Sequence, residues 1–585
     1  MRISNFIYTT LILITSASLS LQAQDKKATE VKKATEAKKA TEAKKATEAQ
    51  KDEKTINEEI EVVRPYKPVL AEAVKLRRSP DLNDVVTFKA KFDYSLTDKK
   101  LGLNSDINKL QAQQLEDERK QALINNYIKG GFGNATTTLL EAYINTGRDE
   151  ALQAGGYFRH FGQEGKLIGQ KENQQELSVF GRSIGEQATV SGRVNYQRHG
   201  LNFYGYNQNV PDVNLDPESQ AFNFIEAEAE VANRYSPDEN ALSYAAKLNG
   251  YLWGDKFSAK ENSVVVNGYL NKRINTFNLG LAAGAEFGST KSLSTDIGNN
   301  ILRLNPYIRL QANGIKINAG INFVQEFGEF SSSRIFPAVT ADFTLIPDYL
   351  QIFGELKGDV NRNSMKQFTD ENPWLNGDIQ MQNSVEKLSI TAGIKGTGGP
   401  GFGYKVKAYH KEITNMPLFV NNFQDPAKFD VIYDFTTMKL TGINGEMSVQ
   451  ISDALNWTGG LTLEQYKPGS ETESWYKPQV RLNSNLLYNY NKKLNFTAAV
   501  AIQGESKAKL YSAEPARPYL VPNPSIETTV NVKGFVDLGL GAGYKINDKF
   551  SAFIRANNLL NTENTKYLNY QAIGINVFGG LTYSF

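Results

Sequence analysis

The sequence contains no cysteine, which excludes a disulfide, a thiolate zinc site and a lipid-modified cysteine. It has no surplus of either charge: 65 basic residues stand against 63 acidic ones, a formal net charge of +2. Nothing in that balance points to nucleic acid or to a polyanionic ligand. Beyond the first residues, no stretch approaches the roughly 18 consecutive apolar residues of a spanning helix, so a membrane could be crossed only by strands. Histidine is also scarce. His160, His199 and His410 are the three in the chain, and none has metal-ligand spacing or stands near a nucleophile-elbow glycine pattern. No enzyme activity and no cofactor are expected. The glycine runs "GGFG" and "GTGGPG" lack the strand-to-helix context of a phosphate loop. What is plentiful is glycine, at 47 residues, with 28 tyrosines and 31 phenylalanines.

The N-terminal quarter reads as a series of segments without a core. Residues 1–23 place Arg2 before an apolar run centred on Leu11 to Ile14, followed by small and polar residues, the pattern of a secretory signal cut near Ala23. Residues 24–57 are a low-complexity spacer with four hexapeptide copies, "KKATEV" and then "KKATEA", from Lys26 to Ala49. A period of six matches neither 3.6 nor 3.5, so the spacer forms no apolar stripe and packs no core. Residues 58–123 form an arm. Its short β-rich run Ile60 to Val63 is stopped by Pro65 and Pro68, and a short amphipathic helix is expected over Ile107 to Leu123. Ile60, Val62, Val63, Arg64 and Tyr66 are its candidates for contact with a periplasmic partner.

From residue 124 to 585 the chain alternates. Ile315, Ile317, Ala319, Ile321 and Phe323 fall on one face of a strand, with Lys316, Asn318, Asn322 and Glu326 on the other. Leu494 to Ile502 and Val536 to Tyr544 repeat the pattern over lengths near the ~10 residues needed to cross an outer membrane at a tilt, where soluble sandwich strands are shorter. Short polar turns recur at residues 274–276, 312–314, 346–348, 396–401, 451–453, 490–493 and 546–549. Longer loops lie between them, at Asn361 to Ser384, Asn415 to Lys428 and Glu505 to Val530. This asymmetry predicts an all-β fold: a transmembrane antiparallel β-barrel of about 22 strands, with about 16 to 20 as the alternative, its short turns periplasmic. An even strand number returns the C-terminus to the side where the N-terminal arm begins, so both termini are expected in the periplasm of a Gram-negative cell.

Side-chain faces follow from the alternation. Glu226, Glu228 and Glu230 share a face opposite Ile225, Ala227, Ala229 and Val231, and three carboxylates facing lipid would be prohibitive, so they are expected to line the lumen. Arg193, Asn195, Gln197 and His199 on the preceding strand can offset their charge across the ladder. Oxygen ligands for a cation would have to come from neighbouring strands as well. At the end of the chain, Ile575, Val577, Leu581, Tyr583 and Phe585 present one apolar face toward outer-membrane lipid, and the strand must pair with the first to remove both sheet edges.

Three segments also resemble a known family: "VVRPYKPVLAEAVKL" from Val62, "NNYIKGGFGN" from Asn125 and "ANNLLNTENTKYLNY" from Ala556. They are similar to Bacteroidota outer-membrane proteins described as TonB-dependent-receptor-like barrels. The resemblance implies an outer-membrane barrel that transports a nutrient, with TonB or another periplasmic partner as its contact. The terminal strand with Tyr583 and Phe585 likewise resembles the signal read by the barrel-assembly machinery. Against the family pattern, only residues 58–123 separate spacer from barrel and no "RG" strand motif occurs, so a full plug domain is not expected. The alternative is a barrel that transports nothing and serves as a subunit docking periplasmic partners.

Overall fold

A computed structural model describes residues 126–585 except 148–150, 207–215, 235–240, 275–276, 400, 452–453 and 512–526. They belong to one compact unit, Leu115–Phe585. The expected signal segment, spacer and arm with Ile60, Val62, Val63, Arg64 and Tyr66, and the expected helix at 107–123, lie outside the described residues. So do parts of the turns at 274–276, 396–401 and 451–453. No helix among the described residues is long and apolar enough to cross a membrane.

The strands are β1 (Tyr127–Gly133), β2 (Thr138–Asn145), β3 (Leu152–Glu164), β4 (Lys171–Ile184), β5 (Ala188–Asn202), β6 (Ser219–Asn233), β7 (Ser243–Gly254) and β8 (Lys260–Ile274). Then follow β9 (Phe277–Lys291), β10 (Asp296–Ala312), β11 (Ile315–Gly328), β12 (Ser332–Ile346), β13 (Leu350–Asn361), β14 (Ser384–Thr397), β15 (Phe402–Asn421) and β16 (Phe429–Ile451). The last are β17 (Leu455–Lys467), β18 (Val480–Asn489), β19 (Leu494–Gln503), β20 (Ser506–Tyr511), β21 (Glu527–Val532), β22 (Phe535–Lys545), β23 (Phe550–Asn557) and β24 (Asn576–Ser584). One short helix, α1 (Met365–Glu371), lies between β13 and β14. Twenty-two strands form one antiparallel sheet in which sequence neighbours pair, β19 pairs β22, and β24 returns to pair β1. β20 and β21 make a separate hairpin within the β19–β22 connection.

Period-two patterning builds this sheet, and register keeps its two faces consistent from strand to strand. Ile225 on β6 stands opposite Leu252 on β7 and Tyr196 on β5, and the outward set continues around the ring through Val264, Leu281, Ile308, Ile321, Ile352 and Ile394. These side chains are exposed, and an apolar belt on the outside of a closed barrel is the surface hydrocarbon accepts. Tight turns join the strands at one end. The Asn313-Gly314 pair between β10 and β11 has φ of 50° and 78°, the left-handed pair of a type I′ hairpin whose twist suits the flanking strands.

Two expected loops are strand in part. Residues 415–421 continue β15, because a bulge between Thr414 and Met416 with Asn415 at φ 55° absorbs the break that Asn415 and Pro417 suggest. The Glu505 to Val530 stretch contains the β20–β21 hairpin. At 20 and 23 residues, β15 and β16 far exceed the roughly 10 needed to span, so their upper ends rise beyond the belt.

The closing seam depends on glycine. Tyr127 stands opposite Ser584 and Gly133 opposite Phe578, and between them Gly130 and Gly131 face Leu581 and Gly580. A Cβ added at Gly131 would come within 2.8 Å of the Phe553 ring and 2.9 Å of the Gly579 carbonyl oxygen, and one at Gly580 would overlap the Gly130 carbonyl oxygen. Gly130 has nothing within 4 Å. Gly580→Val should therefore block closure and sharply reduce the heat-modifiable, folded form on gels of outer-membrane fractions, whereas Gly130→Ala should leave it at wild-type level.

Candidate functional site: a polar lumen under an aromatic cap

The inward face is a ladder of charge pairs. Glu226, Glu228 and Glu230 project from one face of β6 while Ile225 and Ala227 are exposed on the other. Glu228 lies 2.9 Å from the Lys247 ammonium and 3.6 Å from the Arg193 guanidinium. Glu226 accepts hydrogen bonds from Asn195 Nδ2 at 3.1 Å and Asn249 Nδ2 at 2.7 Å. Glu230 stands in register with Ser191 and Lys247. Arg193 thus joins the glutamates, but His199 does not: its Nε2 lies 2.8 Å from Glu172 on β4. Tyr583 and Phe585 stack at 5.7 Å between ring centroids, Tyr583 lies 5.0 Å from Phe550, and the Phe585 amide donates to the Asn126 carbonyl. Among the described residues no group of three or more histidine or acidic side chains is arranged to hold a metal ion.

Toward the long-loop end, a second polar network fastens the β13–β14 loop to the barrel wall. Arg303 donates to Glu286 at 2.7 Å, Asp359 at 2.9 Å and the Val360 carbonyl at 2.6 Å. Arg362 donates to the Tyr251 hydroxyl at 2.9 Å and Ser263 at 2.8 Å. Glu261, 2% exposed, accepts from Tyr251 at 2.5 Å, Thr290 at 3.0 Å and the Met365 amide at 2.8 Å. At the far end of the loop, Asn383 exchanges hydrogen bonds with Asn299 and donates to Glu326 at 2.8 Å. A buried carboxylate with three donors is tolerable; stripped of them it is not.

Held at both ends, that loop meets others above the lumen. Ser364 caps α1 by accepting from the Gln367 amide at 3.0 Å, and the helix buries Met365, Phe368 and Thr369. Trp374 stacks on Tyr570 of the β23–β24 loop at 3.9 Å, with Tyr204 of the β5–β6 loop and Tyr567 edge-on at about 6 Å. Phe419 and Phe429 from the raised β15–β16 hairpin and Tyr476 from the β17–β18 loop complete one hydrophobic core. Cross-loop hydrogen bonds fix it: Gln170 and Tyr204 donate to the Gln571 carbonyl at 2.8 and 3.0 Å, and Tyr570 donates to the Ala427 carbonyl. The β5–β6 and β17–β18 loops start from opposite sides of a 22-strand ring, so their meeting in one core spans the mouth.

Glu371 joins three loops of this cap. Lys477 reaches its carboxylate at 2.7 Å, while Lys566 and Tyr567 donate to its backbone carbonyl at 3.1 and 2.8 Å. Burial alone would raise its carboxyl, but Lys477, Lys566 and Arg481 outweigh burial and hold it below the usual carboxylate range. Sequence patterning reveals none of this, because the partners are scattered from Gln170 to Gln571 and share no period.

No protein-family model and no curated protein matches the sequence. Solved structures do. The pyoverdine-bound receptor FpvA of Pseudomonas aeruginosa is 13% identical, with a TM-score of 0.58 over 79% of this chain and 71% of that one. The FrpB iron transporter of Neisseria meningitidis is 10% identical, with 0.59 over 79% and 82%. The ferric enterobactin receptor PfeA of P. aeruginosa is 12% identical, with 0.55 over 79% and 80%. The shared architecture is the 22-strand barrel of outer-membrane iron and siderophore receptors, and at these identities the likeness is one of fold.

A carboxylate with a depressed folded pKa stabilises above its unfolded value, about 4.3, and loses that contribution as pH falls through the folded value. The cap should therefore hold at neutral pH and loosen below about pH 4. Glu371→Gln should increase proteolytic cleavage of the β13–β14 loop at pH 7, measured on the purified barrel in detergent.

Proposed function

We propose that the protein is an outer-membrane transporter that takes up a nutrient through its own barrel, with the cap as the external gate. One observation carries the reading: loops from opposite sides of a wide, polar-walled barrel meet in an ordered core over the mouth. A lumen lined with paired charges solvates a polar solute, and a cap held by stacking and a few hydrogen bonds can exchange between closed and open arrangements. The fold shared with iron and siderophore receptors supports the same reading.

The chain resides in the outer membrane of a Gram-negative bacterium, with the cap outside and both termini in the periplasm. The arm with Ile60, Val62, Val63, Arg64 and Tyr66 contacts TonB or another periplasmic partner, and the Tyr583 and Phe585 strand is read by the barrel-assembly machinery. The chain acts by binding and conduction. His160 and His410 lie beside Thr138 and Thr441 on strand faces, and His199 is engaged by Glu172, an arrangement that serves structure.

A strain lacking the gene should lose growth on one limiting nutrient in a defined panel and recover it on complementation. Normal growth on every source, with the barrel co-purifying in fixed ratio with other envelope proteins, would replace transport with a structural role. Loosening the gate gives a second check. Trp374→Ala with Tyr570→Ala should sensitise cells to antibiotics too large for porins, measured as a lowered inhibitory concentration at equal barrel abundance.

A further inference from the structure

The balanced total charge conceals a local imbalance inside the barrel. At the short-turn end of the lumen wall, register places Arg309 of β10, Lys316 of β11, Lys395 of β14 and Lys405 of β15 on the inward face, each within a few residues of its turn. Lys316 stands directly opposite Asp342, and Lys395 directly opposite Lys405. Two like charges facing each other across a ladder destabilise it. Both ammonium groups lie over the Phe353 ring, at 5.4 and 5.6 Å from its centroid, so they converge on one spot.

The acidic complement is thin. Asp342 accepts from Lys395 at 2.7 Å, and the other nearby carboxylate on this row, Glu446, is exposed opposite Lys405. Arg309 spends its Nε on the neutral Asn318 oxygen at 2.7 Å. Among the described residues neither Lys316 nor Lys405 makes an ion pair within 4.0 Å, although elsewhere on the wall lysines such as Lys247 and Lys411 do. All four cations are half-buried and reach the lumen, where weakly compensated positive charge attracts an anion.

We propose that this wall is an anion-binding station for a solute bearing phosphate or carboxylate groups, with Arg309, Lys316, Lys395 and Lys405 as its contacts. Guanidinium and ammonium groups donate charge-assisted hydrogen bonds to such oxygens, and Phe353 keeps the two opposed lysines extended toward the lumen. The station rests on the transport reading for its biological meaning, since it gives the transported nutrient a negative charge on its way to the periplasm.

The test is calorimetry of the purified full-length chain in detergent with inorganic pyrophosphate. Saturable binding is expected. Lys395→Gln with Lys405→Gln should weaken it about tenfold or more, Lys316→Gln should weaken it on its own, and the Lys→Arg pair should retain it. The outward pair Lys272→Gln and Lys439→Gln should leave it unchanged. Equal heat-modifiability of all variants shows that each barrel is folded. Absence of saturable binding, or equal loss in the outward control, overturns the station. Uptake by the deletion strain judges transport separately. Pyrophosphate binding in a chain with no role in uptake would leave the station and remove the transporter, whereas uptake without pyrophosphate binding would remove the station alone.

Discussion

Every backbone amide and carbonyl that enters hydrocarbon must find a partner within the protein, since each one left unpaired costs several kcal/mol. This chain meets the requirement at a single seam. The last strand pairs the first over its length, from Tyr127 opposite Ser584 to Gly133 opposite Phe578, and glycines let the two backbones approach. Once the ring is closed, alternation along any strand sends every second side chain to lipid. The residues between must therefore suit an enclosed, wet space.

That division explains where the apolar residues go. A ring of 22 strands is too wide to be filled by its own side chains, so apolar packing on its inner wall stays local, as in the cluster of Ile301, Val324, Phe336, Val360 and Val385. Leucine, isoleucine and valine supply the outer belt. One set of aromatic side chains gathers beyond one end, where β15 and β16 overshoot the belt and Trp374, Tyr567, Tyr570 and Phe429 pack as a core. Below them, Arg362 and Glu261 tie the β13–β14 loop into the wall and exchange partners with the same tyrosine, Tyr251. The two layers depend on each other, because the loop that carries Trp374 is positioned by the network that its own backbone completes at Met365.

Much of the barrel was legible in the sequence, because alternation and turn chemistry are local. The face of Glu226, Glu228 and Glu230 follows from their spacing, and the β10–β11 hairpin follows from Asn313-Gly314. Long-range convergence was not legible. Asn415 and Pro417 read as a loop because nothing local announces that a bulge will carry the strand past them. Trp374 and Tyr570 lie far apart in sequence and obey no common period, so their stacking appears only when the ring brings their loops over one mouth. His199 illustrates the same limit. Its face was readable, but its choice of Glu172 over the β6 glutamates is set by which flanking strand offers a carboxylate at its height. The basic wall was hidden for a simpler reason: its cations are spread over strands β10 to β15, in a chain whose total charge nearly cancels.

The most direct test of the account is single-channel conductance in a planar bilayer, comparing the full-length chain with the same chain carrying Trp374→Ala and Tyr570→Ala. If the cap is the external gate, the wild-type chain is silent and the variant opens to a large, steady conductance. The same trace from both, whether silent or open, would contradict the account, because the barrier to passage would then lie somewhere other than the cap.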